Sequence, residues 1–169
     1  MMKKKKLVYL AGPIGGLTWD EATQWREHAS NLLNNDDIKC LSPLRDFDDG
    51  RSLRSSHHVV DGGRLTNEGK DTALPFIDLF RRDYQDARSA DFILFNFLGA
   101  KKQSVGTVCE LAWAYAWVTP LVVVIDNENI NHNPFLAPMM TALGTRPIVE
   151  TLQEGINVVR RHFDFPEYL

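Results

Sequence analysis

The sequence predicts a three-layer α/β sandwich, a parallel sheet with helices on both faces. Three observations point there. Short apolar runs alternate along the chain with longer segments of helical periodicity. Several runs are apolar at every position, as strands covered on both faces require. A chain of 169 residues that is 44% hydrophobic suits a single core, so residues 1–169 are read as one domain.

The elements follow in order. Leu7-Val8-Tyr9-Leu10-Ala11 is a buried strand ended by Gly12-Pro13. The turn Gly12-Pro13-Ile14-Gly15-Gly16 leads to a helix capped by Thr18, with Glu21 three residues on to complete a capping box. Trp25, His28, Ala29, Leu32 and Leu33 continue at helical spacing. Residues 38–41 form a second strand, stopped by Ser42-Pro43. Residues 46–72 are rich in Asp, Gly, Arg, Ser and His without an apolar period, which predicts a long polar, mobile loop or lid over 46–72. A lid there would exclude water on closing. His57-His58 within it lack companion metal ligands and read as loop surface.

Order resumes at Pro75. Phe76, Leu79, Phe80 and Ala87 give helical spacing over 76–90, and residues 91–97 form a strand. A polar turn over 99–104 precedes an apolar helix over 105–118. Leu121-Val122-Val123-Val124-Ile125 is β-branched and continuous, the strongest strand signal in the chain. A loop over 127–138, a short strand at 147–149 and a last helix capped by Thr151, carrying Leu152, Ile156, Val159 and Phe163, complete the pattern.

Charge and composition narrow the function. Nineteen basic and 22 acidic residues give a net charge of -3, no general reason to bind nucleic acid or a membrane surface. An anionic ligand would need a local arrangement of donors. Cys40 and Cys109 are far apart and outside metal-ligand spacing; Cys109, in an apolar run, reads as a small core residue. The four lysines at 3–6 precede an apolar run too short for an export signal, and no stretch reaches the roughly 20 apolar residues that span a bilayer. The expectation is a soluble, cytoplasmic protein needing no metal or organic cofactor.

Parallel sheets bind ligands beyond the C-terminal ends of their strands. That rule nominates the loops 12–16, 99–106 and 126–134, expected on one side of the molecule. The first has neither the Walker pattern nor the dinucleotide fingerprint, and as a strand-to-helix turn needs no function. In Ser104-Val105-Gly106-Thr107-Val108-Cys109-Glu110, a lone carboxylate enters an otherwise apolar helix. Burying it is costly unless it is partnered or used; the alternative is a surface Glu favoured by the helix dipole. Gly106 permits close approach of a ligand, and the N–H groups of a helix start favour anions. Asp83 and Asp86, three apart, share a helix face. Asp83 and Glu110 would suit an acid and a nucleophile in glycosyl transfer, although an Arg–Asp surface of a solvated helix fits 81–86 equally.

Together these segments resemble the nucleoside 2-deoxyribosyltransferase superfamily, which includes the 2'-deoxynucleoside 5'-monophosphate N-glycosidases. The resemblance rests on Val8-Tyr9-Leu10-Ala11-Gly12-Pro13, on Asp83 followed by Ala90-Asp91-Phe92-Ile93-Leu94, and on Gly106-Thr107-Val108-Cys109-Glu110-Leu111-Ala112. It covers the framework from Tyr9 to Ile125 but not the 46–72 loop, and it implies a flavodoxin-like or Rossmann-like sandwich of that family's type. It further implies that Glu110 is a nucleophile at C1', that Asp83 protonates the leaving base, and that Tyr9 orients the nucleophile. Transferases of the family usually carry Asp six residues before the nucleophile; here Ser104 stands, as in the monophosphate N-glycosidases. A hydroxyl can donate to a phosphate that an Asp would repel. The resemblance therefore favours cleavage of 2'-deoxyribonucleoside 5'-monophosphates by water, with base exchange between deoxynucleosides as the alternative and a non-catalytic nucleotide-sensing module as a second.

Further substrate-binding candidates are Gly12, Gly15, Gly16 and Gly106 by backbone, and Arg45, with Arg51, Arg54 or Lys101 as other sources of positive charge. Family members are homo-oligomers with shared active sites, which makes Asn131-His132-Asn133-Pro134, and Asn133 in particular, a candidate contribution to a neighbour, or else an ordinary loop. Trp113 and Trp117 are core or subunit interface, core being the default.

Overall fold

The computed structural model describes residues 4–35, 37–45, 76–141 and 148–164. Along the chain run β1 (Lys6–Ala11), α1 (Trp19–Leu33), β2 (Ile38–Leu41), α2 (Phe76–Ser89), β3 (Phe92–Asn96), α3 (Val105–Trp117), β4 (Leu121–Val124), α4 (Ala137–Thr141), β5 (Ile148–Val149) and α5 (Leu152–Asp164). All strand pairs are parallel, in the order β2-β1-β3-β4-β5. The predicted parallel sandwich is what forms, with the flavodoxin-like strand order. In that order the chain direction reverses between β1 and β3, so the loops after these two strands diverge and leave a crevice.

Strand alternation sorts the core into two layers. Tyr9, Ala11, Ile93, Phe95 and Val123 face one way and pack with Ala87 of α2 and with Leu111 and Ala114 of α3. Val8, Leu10, Phe92, Leu94 and Val122 face the other way and meet Ala29 and Leu33 of α1 and Ile156 and Val159 of α5. Period-2 side chains thus dictate which helix can reach which strand residue.

Local signals set the element ends. Thr18 caps α1 and exchanges bonds with Glu21 (Glu21 N to Thr18 Oγ1, 3.2 Å; Thr18 N to Glu21 Oε2, 2.7 Å), forming the expected capping box. Thr151 and Glu154 repeat that reciprocal arrangement at the start of α5 (3.3 and 3.0 Å).

Two expectations need correction. Residues 137 and 138, the end of the loop expected over 127–138, instead begin a helix that runs to Thr141. Leu136 and Met140, four apart, are buried together, and Pro138 sits in the first turn, where its missing N–H is harmless. Cys109 is exposed and not core. On α3 the inward residues are Thr107, Glu110, Leu111 and Ala114, a helical stripe that leaves Cys109 outside it. Trp113 and Trp117 are half-buried, and Tyr84 packs edge-on against both. The stretch 46–72, with His57, His58, Arg51 and Arg54, lies outside the described residues.

Gly155 brings α5 flush onto the sheet. A Cβ there would lie 2.5 Å from Val124 Cγ2 and 3.4 Å from Leu94 Cδ1. Gly155→Ala should therefore destabilise the protein by about 1–3 kcal/mol through overpacking, despite alanine's better helix propensity. A lowered urea midpoint would register this; an unchanged or raised midpoint would refute the close packing.

Candidate active site

Glu110 and Tyr9 meet where β1 and α3 pack. Ser104 caps α3, its Oγ 3.4 Å from the Thr107 N–H and 2.8 Å from Thr107 Oγ1. One turn further on, Glu110 is turned inward and only 8% exposed. Tyr9, fully buried on the α3-facing side of β1, donates its O–H to Glu110 Oε1 at 2.6 Å. Burial, and then the charges of Glu110 and Asp83, push the Tyr9 phenol well above its ordinary range, so it remains a donor at neutral pH.

Asp83, on α2, is the second carboxyl of the site. Its Oδ1 is buried and has no hydrogen-bond partner among the described residues. Burial pushes Asp83 up to about 7; Asp86 adds to the rise, and Arg82, Arg45 and Arg26 oppose it. Burial likewise pushes Glu110 up to about 8; Asp83 adds to the rise, and the Tyr9 hydrogen bond and Arg26 oppose it. The Asp83 carboxylate raises the proton affinity of Glu110. The pair therefore holds a proton through the neutral range, and once Asp83 is protonated its repulsion of Glu110 disappears. Such a pair can present one acid and one carboxylate at the same time.

The shared helix face predicted for Asp83 and Asp86 divides into two roles. Asp86 is buried and takes both arms of the Arg45 guanidinium, with Arg45 Nη2 3.0 Å from Oδ1. Arg45 also donates to the Ser42 carbonyl at 3.0 Å, and Arg82 donates to the carbonyls of Pro43 and Arg45. These bonds tie α2 to the segment after β2. Arg45 thus spends its fork on Asp86 and Ser42.

The glycines differ in purpose. A Cβ on Gly12 would meet the Asn96 carbonyl at 2.5 Å, so Gly12 is needed where β1 passes β3. Gly16 has φ +85°, the left-handed region that favours glycine. Gly15 and Gly16 both lie against the Lys102 side chain, whose Cε would be 3.5 and 3.2 Å from their Cβ atoms. At Gly106 a Cβ would meet nothing within 4 Å, so no packing demands this glycine. Lys101 is occupied by Glu21, at 2.7 and 2.9 Å from its two oxygens.

The loop after β4 is tied to the start of α3. Asn131 is 1% exposed, and its Oδ1 accepts the Ser104 N–H at 3.2 Å while its Nδ2 donates to Asn129 Oδ1 at 2.9 Å. Asn129 in turn donates to the Phe97 carbonyl at 2.8 Å. Asn133 is exposed, its Oδ1 accepting the Phe135 N–H at 2.8 Å.

The fold thus brings Tyr9, Asp83 and Glu110 into mutual electrostatic contact, and it places Asn133 on the surface. Sequence reasoning did not single out Arg26, Lys102 or Asn129, and it named Asn131 only within the 131–134 segment, as a contribution to a neighbour and not as a tie to Ser104. Arg26 is 1% exposed and donates to three backbone carbonyls, those of Leu10 (3.3 Å), Gly12 (2.8 Å) and Ala22. No signal marked it, because arginine is ordinary on amphipathic helices. Among the described residues no group of three or more His, Cys, Asp or Glu is placed to hold a metal, and no helix is long and apolar enough to cross a membrane.

Comparison with known proteins adds a family. The sequence profile described as nucleoside 2-deoxyribosyltransferase matches residues 8–140. Among solved structures, a conserved protein from Enterococcus faecalis V583 has 15% identity and a TM-score of 0.62, over 94% of this chain and 99% of that one. A 2-deoxyribosyltransferase from Leishmania mexicana has 15% identity and a TM-score of 0.57, over 93% and 98%. A CMP N-glycosidase from Clostridium botulinum has 12% identity and a TM-score of 0.54, over 93% and 99%. At these identities the likeness is one of fold. No curated protein gives a significant sequence match.

The raised carboxyls have a consequence for stability. Both bind protons more tightly in the folded chain than in the unfolded one. Their favourable contribution is therefore complete below the ordinary carboxylate range and is lost as pH rises through about 7 to 8. Glu110→Gln cannot ionise, so its melting temperature should gain on the wild type's between pH 6 and pH 9 and exceed it at the upper end. A difference that does not change with pH would contradict a buried, proton-retaining Glu110.

Proposed function

We propose that this chain, which belongs to the nucleoside 2-deoxyribosyltransferase family, cleaves the N-glycosidic bond of 2'-deoxyribonucleoside 5'-monophosphates through a glycosyl-enzyme on Glu110. The observation that carries the reading is the 2.6 Å Tyr9–Glu110 hydrogen bond beside an Asp83 oxygen left without a partner among the described residues. The family supports glycosyl transfer or N-glycoside cleavage in general, and the site's chemistry is what favours the finer reading.

Catalysis takes two displacements. A nucleobase against Asp83 accepts a hydrogen bond only from the protonated acid, so substrate binding draws the shared proton onto Asp83 and leaves Glu110 a carboxylate. Glu110 attacks C1' as the C1'–N bond breaks; the bond electrons leave with the base, which takes the Asp83 proton. The Tyr9 O–H fixes one carboxylate oxygen and leaves the other to form the bond. The oxocarbenium character of the transition state is stabilised by the adjacent anion, and a 2'-deoxy sugar lacks the electron-withdrawing hydroxyl that would oppose that charge. Water then attacks C1', giving its proton to the Asp83 carboxylate, and the C1'–O bond to Glu110 breaks. Two inversions give net retention.

Several features favour a 5'-phosphate. Ser104 offers a hydroxyl at the start of α3, and Gly106 leaves open space beside it. Lys102, next to Gly15 and Gly16, has no ionic partner among the described residues, whereas Lys101 and Arg45 are committed elsewhere. The same fold carries a CMP N-glycosidase, so it can admit a monophosphate. Base exchange between deoxynucleosides is the second reading, favoured by the matched family itself. The reading includes a homo-oligomer with shared sites. Phe135, 82% exposed beside Asn133, is the kind of side chain that a second subunit would cover.

Incubation with deoxynucleoside monophosphates and with deoxynucleosides should release free base faster from the former. Glu110→Ala should slow release at least about a thousandfold; release at the wild-type rate would remove Glu110 from the chemistry. Intact ligand recovered after long incubation with the wild type would point to a binding module, and transfer of the sugar to added free base would favour the exchange reading.

Lys102→Ala should raise KM for a monophosphate about tenfold, the equivalent of one exposed charge contact, and leave KM for a deoxynucleoside nearly unchanged. Equal effects on both substrates would show that Lys102 does not read the phosphate.

A further inference from the structure

Ser104 is central to the phosphate reading, yet a serine hydroxyl turns about its bond and can serve as donor or acceptor. Its surroundings decide which role it plays. The Ser104 N–H is taken by Asn131 Oδ1 at 3.2 Å. Asn131 is held in turn by Asn129 Oδ1, which accepts its Nδ2 at 2.9 Å and its main-chain N–H at 3.1 Å. Asn129 spends its own amide hydrogens on the Phe97 carbonyl (2.8 Å) and on Asp126 Oδ2 (2.9 Å). The Ser104 carbonyl accepts the Val108 N–H at 3.0 Å. Both main-chain groups of Ser104 are therefore committed, and the side-chain hydroxyl is the group left to meet a ligand.

Thr107 completes the arrangement. It lies in the first turn of α3, faces inward and is 2% exposed, so its hydroxyl has almost no water to bond. Among the described residues the one partner of that hydroxyl is Ser104 Oγ, at 2.8 Å. Distance alone allows either oxygen to be the donor, but burial separates the two cases. If Ser104 donated, the Thr107 hydrogen would be left in the interior without an acceptor, a costly state. With Thr107 donating, Ser104 Oγ accepts from the Thr107 O–H and, at 3.4 Å, from the Thr107 N–H. A hydroxyl oxygen has two acceptor sites. Thr107 fills both, and the Ser104 hydrogen is what remains.

We propose that Thr107 is a positioning residue that leaves Ser104 a hydroxyl able only to donate, and so sets it to read an acceptor such as a 5'-phosphate oxygen. The inference rests on the reading of Ser104 as a contact to that phosphate. A phosphate oxygen only accepts, and a hydrogen bond to a charged oxygen is the stronger kind. The Thr107 O–H also polarises the Ser104 O–H, which strengthens the bond that Ser104 donates. Glu110 stands apart from this set, because Tyr9 on β1 fixes its carboxylate. Loss of the Thr107 hydroxyl should therefore be felt in binding at the 5' end and not in the chemistry at C1'.

The test is a double-mutant cycle on KM for a deoxynucleoside monophosphate. Ser104→Ala should raise KM about tenfold, and Thr107→Val, which keeps the shape and loses the hydroxyl, about fivefold, with kcat within about twofold of wild type in both. Thr107→Ser retains the hydroxyl and should hold KM within about twofold of wild type even if the melting temperature falls. In Ser104→Ala/Thr107→Val the KM should equal that of Ser104→Ala, because Thr107 acts through the Ser104 oxygen. A threonine that only supports the helix would keep its effect in the alanine background, or would lower kcat and leave KM unmoved; either result overturns the proposal. If Thr107→Val does not fold, Thr107→Ala takes its place in the cycle. Base release with additive effects on KM would overturn this inference alone. Absence of base release by the wild type would overturn the proposed activity and this inference with it.

Discussion

The hydrogen bond between Tyr9 and Glu110 links the sheet to the chemistry, and much of the structure follows from the need to bury that carboxylate. A lone glutamate on α3 would be expelled to water without a donor on the facing strand. Tyr9 supplies the donor because it lies on the α3 side of β1, one residue away from positions that face α1. A shift of one residue in the pairing of β1 would turn the phenol to the wrong layer and leave Glu110 unpaired. The register Tyr9 to Ile93 against β3 is therefore part of the site.

Topology explains why the parts converge. With the order β2-β1-β3-β4-β5, the loops leaving β1 and β3 open away from each other, and α3 begins beside the crevice. The Asn129–Asn131 bonds tie the loop after β4 to the Ser104 backbone, while Arg45 and Asp86 tie α2 to the segment after β2. Each catalytic candidate sits on a regular element, and connections on either side hold those elements in place, which is how a site keeps its geometry.

The fold was largely legible because buried parallel strands announce themselves. Residues 121–125 have no polar position, and only a strand covered on both faces suits them. The short helix α4 was not legible, since Pro138 argues against a helix unless it is known to lie in the first turn. Cys109 was misjudged because an apolar helix does not reveal its phase; Val105 and Cys109 face water while Leu111 and Ala114 do not. Glu110 stood out as a lone charge in an apolar helix, whereas Ser104 was marked by its place six residues earlier in the family pattern. Tyr9 and Asp83 became candidates chiefly through the family resemblance, and nothing local distinguished Asp83 from Asp86. That distinction arises only when Arg45, 41 residues away in sequence, takes Asp86. Arg26 was hidden for the same reason, since its partners are backbone groups that only the folded chain brings near.

The central claim is that the sugar passes through a covalent bond to Glu110. The most direct measurement is mass spectrometry of protein quenched in acid during turnover of a deoxynucleoside monophosphate, followed by proteolysis. The account predicts that the peptide containing Glu110 gains the mass of one deoxyribosyl phosphate, and that the gain is absent in Glu110→Gln. Turnover that leaves this peptide unmodified at every quench time, or an adduct on another residue, would contradict it.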